Sequence, residues 1–100
     1  MDSKTLFIIN PISGGKRKDY IPNLILKEFN HKNFDIVYTE GPEHATLLTK
    51  EGIKNGYETF VAVGGDGTVN EIAKAIIGTE YNLGIIPHGS GNGLARHNHI

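Results

Sequence analysis

The sequence contains no cysteine among its 100 residues. This absence excludes a disulfide-bonded scaffold and any zinc site held by cysteine, and it fits a reducing compartment. The net charge is -1, so the chain has no basic surplus with which to hold a nucleic acid backbone. No stretch approaches the roughly 20 apolar residues of a membrane span, and the apolar run at 6–9 is too short for a secretion signal. We therefore expect a cytoplasmic protein whose membrane contact, if any, is peripheral at the inner face.

Two widespread phosphate-binding motifs are also missing. The chain has no Gly-x-x-x-x-Gly-Lys-Ser/Thr loop, which would wrap the phosphates of a nucleotide. It has no Gly-x-Gly-x-x-Gly fingerprint after its first apolar run, so an ordinary dinucleotide site is disfavoured. Among the histidines, His97 and His99 lack a nearby third metal ligand, so the metal ligands stay unknown.

What the sequence does contain is a regular alternation of short apolar runs and amphipathic stretches. The apolar runs predict buried strands at 5–9, 34–39, 60–63 and 83–86. Apolar residues at helical spacing predict helices at about 16–30, 43–55 and 68–77. The order βαβαβαβ predicts an α/β fold, with a doubly wound, mostly parallel, Rossmann-like sheet between two helical layers.

Two of these helices carry details that matter for the site. The first is expected to begin at Lys16-Arg17-Lys18, which is either a solvated helix end or an attractor for phosphates or an anionic membrane. The third is expected to end at Gly78 and to bury one apolar face, made of Val69, Ile72, Ala73, Ile76 and Ile77.

Four polar or glycine-rich loops follow the four predicted strands. The carboxyl ends of parallel strands lie along one edge of a sheet, where ligands bind. The loops are Asn10-Pro11-Ile12-Ser13-Gly14-Gly15, Thr39-Glu40-Gly41, Gly64-Gly65-Asp66-Gly67-Thr68 and Pro87-His88-Gly89-Ser90-Gly91-Asn92-Gly93. Their convergence on one rim predicts a ligand site there.

The loop at 64–68 is the sharpest signal. Its glycines let the backbone approach a ligand closely, and the loop opens a helix whose first N–H groups favour an anion. Asp66 would repel a phosphate, so it suits a Mg²⁺ ligand, a group that orients a nucleophile, or a partner for a sugar hydroxyl. Alternatively, Asp66 caps the helix after a tight turn. Thr68 could also cap it, or donate its hydroxyl to a phosphate.

Three ordered motifs resemble the diacylglycerol kinase catalytic domain family, which includes bacterial lipid kinases and sphingosine kinases. They are Asn10-Pro11-x-Ser13-Gly14, Gly64-Gly65-Asp66-Gly67-Thr68-Val69-Asn70-Glu71 and Pro87-x-Gly89-Ser90-Gly91-Asn92-x-Leu94-Ala95-Arg96. Thr39 followed by His44-Ala45 matches a further family pattern. One departure concerns Gly93, which stands where many bacterial members have aspartate, so the last motif looks closer to the sphingosine and ceramide kinase version.

The resemblance implies binding of ATP with Mg²⁺ and transfer of the γ-phosphoryl group to the hydroxyl of a diacylglycerol-like lipid or a sphingoid base. It implies Asp66 as the catalytic candidate. The residues that it places around the nucleotide are Asn10, Pro11, Ser13, Gly14, Thr39, Gly64, Gly65, Asp66, Gly67, Thr68, Val69, Asn70, Ser90 and Asn92.

The resemblance also bears on domain organisation. It implies that residues 1–100 form an N-terminal nucleotide-binding domain, and that a β-rich lipid-binding domain normally follows with the base and the metal ligands. Because the chain stops soon after a helix start at Leu94, we expect a truncated chain that is inactive alone.

Two other functions stay open on the sequence. A NAD kinase-like enzyme with a soluble substrate shares the Gly-Gly-Asp-Gly-Thr loop, and the chain could be a non-catalytic nucleotide-binding module. Asn70-Glu71 and the Gly-Ser-Gly-Asn segment favour the lipid kinases. Glu71 itself is interpreted as an acidic residue that suits its own helix dipole, and His44 as a support for the neighbouring loop.

Overall fold

The fold is an α/β sheet with helices packed against it. The structure is a computed structural model that describes residues 4–13, 16–17, 26–27 and 33–87. Its strands are β1 (Lys4–Ile9), β2 (Ile12–Ser13), β3 (Lys16–Arg17), β4 (Asn33–Tyr38), β5 (Tyr57–Gly64) and β6 (Asn82–Pro87). Four of them form one parallel sheet in the order β4-β1-β5-β6. All four predicted strands and the predicted parallel pairing are therefore confirmed.

Two helices follow strands of this sheet, α1 (His44–Lys54) after β4 and α2 (Asp66–Ile76) after β5. Each ends two residues before the glycine that the sequence predicts as its stop. Gly56 and Gly78 adopt left-handed backbone angles, with φ of 93° and 79°, which only glycine reaches without a steric cost. Of the first predicted helix, about 16–30, the structure describes Lys16, Arg17, Leu26 and Lys27, of which Leu26 and Lys27 are helical.

The predicted start of that first helix is wrong. Lys16 and Arg17 form β3, which pairs antiparallel with β2. Two-residue strands carry no measurable periodicity, so apolar spacing could not reveal them. The available signal was the Gly14-Gly15 dipeptide, because two glycines between short extended segments are typical of a hairpin. Lys18 lies outside the described residues.

The central strands β1 and β5 are buried on both faces, as expected of a doubly wound fold. Along β1, Leu6 and Ile8 point to the face that α1 and α2 cover, whereas Phe7 and Ile9 point to the opposite face. All four side chains are almost completely inaccessible to water. This two-sided burial explains why β1 reads as a continuous apolar run rather than as an alternating one.

The helices approach the sheet closely on their shared face. Gly52 of α1 lies so near the sheet that a Cβ there would stand 3.1 Å from Leu6 Cδ2 and 3.3 Å from the Phe60 ring. On α2, Ile72 and Ile76 are buried as predicted, but Ile77 is 77% exposed. The helix ends one residue earlier, and Ile77 takes extended angles that turn it away from the apolar face.

The amino-terminal edge of the sheet holds a separate polar cluster. The Tyr57 hydroxyl donates a hydrogen bond to Asp35 Oδ2, and the Lys4 ammonium lies 4.3 Å from the centre of the Tyr57 ring. The hydrogen bond to Asp35, together with burial and the negative charge of Asp35, raises the pKa of Tyr57 to about 12. This cluster joins β1, β4 and β5 at the edge opposite the predicted ligand site.

The strand order creates a crevice at the carboxyl edge. From β1 the chain passes to β4 on one side and then to β5 on the other. The loops after β1 and β5 therefore run in opposite directions and leave a gap between them. Such a switch point is where open parallel sheets bind ligands.

Candidate functional site

Backbone hydrogen bonds fix the three strand ends that surround this crevice. Asn10 N–H donates to the Val63 carbonyl at 2.9 Å, and Thr39 N–H donates to the Ile9 carbonyl at 2.8 Å. The residues directly after β1, β4 and β5 are thereby held side by side. The convergence that the sequence predicts for these three loops is confirmed, while the loop after β6 lies outside the described residues from His88 onward.

The converging loops line a cleft of about 500 Å³, a volume within the usual range for small-molecule sites. One wall comes from the start of α2 and the other from the loop between β4 and α1. The lining residues are Asn10, Pro11, Thr39, Glu40, Gly41, Pro42, Gly67, Thr68 and Glu71.

The start of α2 has no side-chain cap. Gly65 is the N-cap, and no side chain hydrogen-bonds to the cap. Asp66 is exposed and is the first helical residue, so the sequence-based alternative that Asp66 caps the helix is wrong, as is the one for Thr68. Both sit inside the helix because Gly65 already takes the extended N-cap angles. The first N–H groups of a helix have no intrahelical partner, so this end favours an anion.

Two glycines of this loop meet quite different surroundings. A Cβ on Gly64 would stand 2.9 Å from Thr68 Oγ1 and 3.2 Å from Asn10 Cβ, whereas a Cβ on Gly67 would meet nothing within 4 Å. Gly64 is thus required by close packing between β1, β5 and α2. Gly67 borders open space in the cleft, where the structure itself sets no requirement for glycine.

The second wall is shaped by His44 and an unusual backbone at Glu43. His44 Nδ1 accepts a hydrogen bond from Glu40 N–H at 2.9 Å, which confirms the prediction that His44 supports its loop. Glu43 adopts φ 67°, a left-handed conformation that costs a non-glycine residue free energy. Its own side chain makes no capping bond to α1.

Glu71 supplies that cap from the other helix. Its Oε2 accepts a hydrogen bond from Glu43 N–H at 3.0 Å, and its Oε1 accepts one from Ala45 N–H at 3.2 Å. In addition, Thr46 Oγ1 donates to the Glu71 carbonyl at 3.0 Å. The earlier interpretation gave Glu71 only a role in its own helix, and the structure shows that it joins the two walls of the cleft.

The predicted site residues divide into three groups. Those that line the cleft are Asn10, Pro11, Thr39, Gly67 and Thr68. Those that build the loop and the first turns of α2 beside it are Gly64, Gly65, Asp66, Val69 and Asn70, of which Val69 packs its side chain against the core. For Ser13 only the backbone is described, in β2, while Gly14, Ser90 and Asn92 lie outside the described residues.

Glu40 and Gly41 also line the cleft, as predicted for the loop Thr39-Glu40-Gly41, although neither was placed individually around the nucleotide. The sequence interpretation missed Pro42 and Glu71. Pro42 continues that loop, so its position after β4 was the available signal. Glu71 belongs to the motif at 64–71, but its partners lie 26 and 28 residues earlier in the chain. No local pattern reveals a contact at that separation.

Two wider features of the described residues also bear on function. They contain no group of three or more histidine and acidic side chains that could hold a metal ion. Within the same part of the chain, no helix has the length and apolarity to cross a bilayer.

Comparison with known proteins shows the family of this chain. The model of the diacylglycerol kinase catalytic domain matches residues 4–100. A Streptococcus pneumoniae protein, provisionally named a lipid kinase, is 39% identical over 89% of this chain and 32% of its own length. A diacylglycerol kinase of Staphylococcus haemolyticus is 35% identical over 93% of this chain and 29% of its own.

A solved structure shows the same relationship. It belongs to a provisionally named diacylglycerol kinase from Bacillus anthracis, with a TM-score of 0.72, 26% identity, and coverage of 90% of this chain and 34% of that one. The chain therefore spans about a third of the length of the relatives that it matches. By the match over nearly its whole length, the chain belongs to the diacylglycerol kinase catalytic domain family.

Proposed function

We propose that this chain is the nucleotide-binding part of an ATP-dependent lipid kinase. The enzyme would transfer the γ-phosphoryl group of ATP to the hydroxyl of a diacylglycerol-like lipid or a sphingoid base. The observation that carries the proposal is the cleft at the switch point, one wall of which is a helix start without a side-chain cap. Membership of a kinase family gives this anion-favouring end its natural ligand, a nucleotide phosphate.

The residues around the loop fit a bound phosphate. The first turn of α2 contributes N–H groups and the positive end of the helix dipole. Open space beside Gly67 lets a phosphate come close to the backbone, where a side chain would hold it away. Phosphoryl transfer asks a protein mainly for positioning and for stabilisation of charge, and this wall supplies part of both.

Asp66 is the catalytic candidate of the described residues. Its carboxylate is exposed at the first helical position, next to the proposed phosphate site. There it would act as one ligand of Mg²⁺ or orient the attacking hydroxyl. Bound Mg²⁺ would neutralise charge that develops on the phosphates, and one carboxylate with phosphate oxygens is a usual set of ligands for it.

The lipid acceptor would bind outside these 100 residues. The relatives named diacylglycerol kinase are about three times as long as this chain. We propose that a second domain supplies the acceptor pocket, the base and further metal ligands. The full-length protein would then work in the cytoplasm, in peripheral contact with the membrane that contains its substrate.

The test is a substrate comparison with the full-length protein and radiolabelled ATP with Mg²⁺. Diacylglycerol and sphingosine in mixed micelles are offered in parallel with soluble NAD. We expect label in one of the lipids and none in NAD. Label in NAD alone would refute the lipid kinase and favour the NAD kinase-like alternative.

A further inference from the structure

Glu71 connects the two walls of the cleft through three hydrogen bonds. Its two carboxylate oxygens accept from the N–H groups of Glu43 and Ala45, and its carbonyl accepts from the Thr46 hydroxyl. Glu71 itself belongs to α2, whose start forms the opposite wall. The side chain of Glu43, the N-cap residue of α1, makes no capping hydrogen bond of its own.

The wall formed by the loop between β4 and α1 needs this support because its backbone is strained at Glu43. Glu43 holds a left-handed conformation, and such residues persist only where neighbouring contacts hold them. Glu40, Gly41 and Pro42, just before Glu43, line the cleft. If the Glu43 N–H loses its acceptor, this loop is free to adopt a more favourable backbone, and the width of the cleft changes.

The bonds also make a carboxylate compatible with a phosphate site. An uncompensated negative charge in the cleft would oppose a nucleotide. Here two N–H donors and the positive end of α1 stabilise the Glu71 carboxylate, since a helix N-terminus favours negative charge. The negative charge is therefore directed to α1 rather than presented to a ligand.

We propose that Glu71 is a positioning residue that sets the separation of the two walls and thereby the affinity for the nucleotide. This inference rests on the proposed function of the cleft. Glu71 does not act on the reacting atoms. It acts through the loop at 40–43, so its loss should weaken nucleotide binding more than it slows turnover.

The variants Glu71→Ala and Glu71→Gln test the two hydrogen bonds that the Glu71 carboxylate accepts from Glu43 and Ala45. Alanine removes both acceptors, whereas glutamine keeps one acceptor oxygen and places an amide donor against the other N–H. With the full-length protein we expect Glu71→Ala to raise the KM for ATP about tenfold, which corresponds to a contact worth about one hydrogen bond. The KM for the lipid and kcat should stay within about twofold, and Glu71→Gln should lie between Glu71→Ala and wild type.

Gly56→Ala is the matched control, because it strains α1 at its far end and leaves Glu71 intact. A KM for ATP that rises equally in Gly56→Ala and Glu71→Ala, at equal loss of stability, would reduce Glu71 to a stabilising residue and overturn the inference. Unchanged KM for ATP in folded Glu71→Ala would do the same.

A second measurement separates this inference from the proposed function. Amide hydrogen exchange at Glu43 and Ala45 should accelerate in Glu71→Ala and stay at the wild-type rate in Gly56→Ala. Unchanged exchange would overturn the positioning role whatever the ligand. Wild-type protein with no affinity for ATP would overturn the proposed function and the inference together, whereas equal affinity of wild type and Glu71→Ala would overturn the inference alone.

Discussion

Single glycines in the loop at 64–67 serve packing and ligand approach separately. Gly64 has no room for a side chain, since Thr68 Oγ1 and Asn10 lie against it. Gly67 has open space and a conformation that other residues accept. Substitutions at the two positions can therefore distinguish a glycine that the fold requires from one that ligand binding requires.

Gly67→Ala should leave the fold intact and impair binding. We expect the free energy of unfolding to stay the same or to rise by up to about 1 kcal/mol, because alanine favours a helix more than glycine does. The KM for ATP should rise about tenfold or more, because the methyl group would occupy space next to the proposed phosphate. Urea unfolding and steady-state kinetics measure the two effects.

Gly64→Ala should lower the stability of the fold, unlike Gly67→Ala. Its Cβ would overlap the Thr68 hydroxyl, so we expect a loss of about 1 to 3 kcal/mol of stability.

For the Gly67→Ala prediction, an unchanged affinity for ATP would argue against a phosphate beside this turn.

Asp66 is exposed, so its removal should affect chemistry far more than folding. In the full-length enzyme, Asp66→Asn should lower kcat about a hundredfold or more if the carboxylate binds the metal or orients the nucleophile. The stability lost should stay below about 1 kcal/mol, the usual contribution of an acidic residue in the first helical turn. Glu58→Gln neutralises an exposed carboxylate at the far edge of the sheet and serves as the control. A normal kcat for Asp66→Asn would leave Asp66 with a helix-dipole role only.

Tyr57 predicts a specific dependence of stability on alkaline pH. Its hydrogen bond to Asp35 raises its pKa from 10.0 to about 12, so the folded state holds the phenolic proton more tightly than the unfolded chain does. The resulting stabilisation is complete below about pH 10 and is lost as the pH rises towards 12.

Tyr57→Phe should be less stable than wild type at neutral pH and should show a smaller decline in stability between about pH 10 and 12. Tyr81→Phe, at another ring packed on Phe60, is the control. Parallel declines in urea titrations of Tyr57→Phe and wild type would contradict the assignment.

Among the elements, α1 combines a cap supplied by a neighbour with an end that depends on glycine. At its start the acceptor comes from Glu71 of α2. At its end Gly56 reverses the chain at φ 93°, and its N–H donates to the Ile53 carbonyl at 3.2 Å. The two ends of one helix thus depend on different parts of the molecule.

The end at Gly56 can be tested with two substitutions that differ in backbone preference. A Cβ there meets nothing within 4 Å, so conformation alone decides the cost. We expect Gly56→Ala to lower the free energy of unfolding by about 1 to 2 kcal/mol. Gly56→Asn should lose less, because asparagine tolerates the left-handed region. Thermal and urea unfolding measure both, and equal losses would show that a contact rather than φ sets the cost.

The elements also show where sequence patterns succeed and fail. The runs that became β1, β5 and β6 were recognisable because burial on both faces leaves no polar alternation. The strand at Lys16–Arg17 was missed because it is too short to have a period. Ile77 was misplaced because the apolar spacing continues past Ile76, although the backbone leaves the helix there.

For the whole molecule, the order of the strands explains why half of the site was predictable. Parallel strands place their carboxyl ends together, so residues that follow β1, β4 and β5 could be assigned to one rim before the structure was known. The role of Glu71 could not be assigned, since it depends on how α1 and α2 pack. Contacts between helices arise from the tertiary fold and leave no mark within either segment.

The 100-residue chain alone should separate binding from transfer. We expect it to bind ATP with Mg²⁺ and to phosphorylate lipid weakly or not at all, because its relatives are about three times as long. Isothermal titration and a lipid assay with the isolated chain measure this. Lipid phosphorylation at the full-length rate would show that the acceptor site lies within these residues.

The central position of β1 has a consequence for synthesis on the ribosome. β1 is synthesised before both of its neighbours, β4 on one side and β5 on the other, so its second neighbour is complete only when Gly64 has left the exit tunnel. Until then one row of backbone groups on β1 stays unpaired, and its apolar side chains lack α2, which follows β5 in the chain. The sheet can therefore close only after synthesis has passed Gly64, and until then chaperones would have exposed apolar surface of β1 to protect.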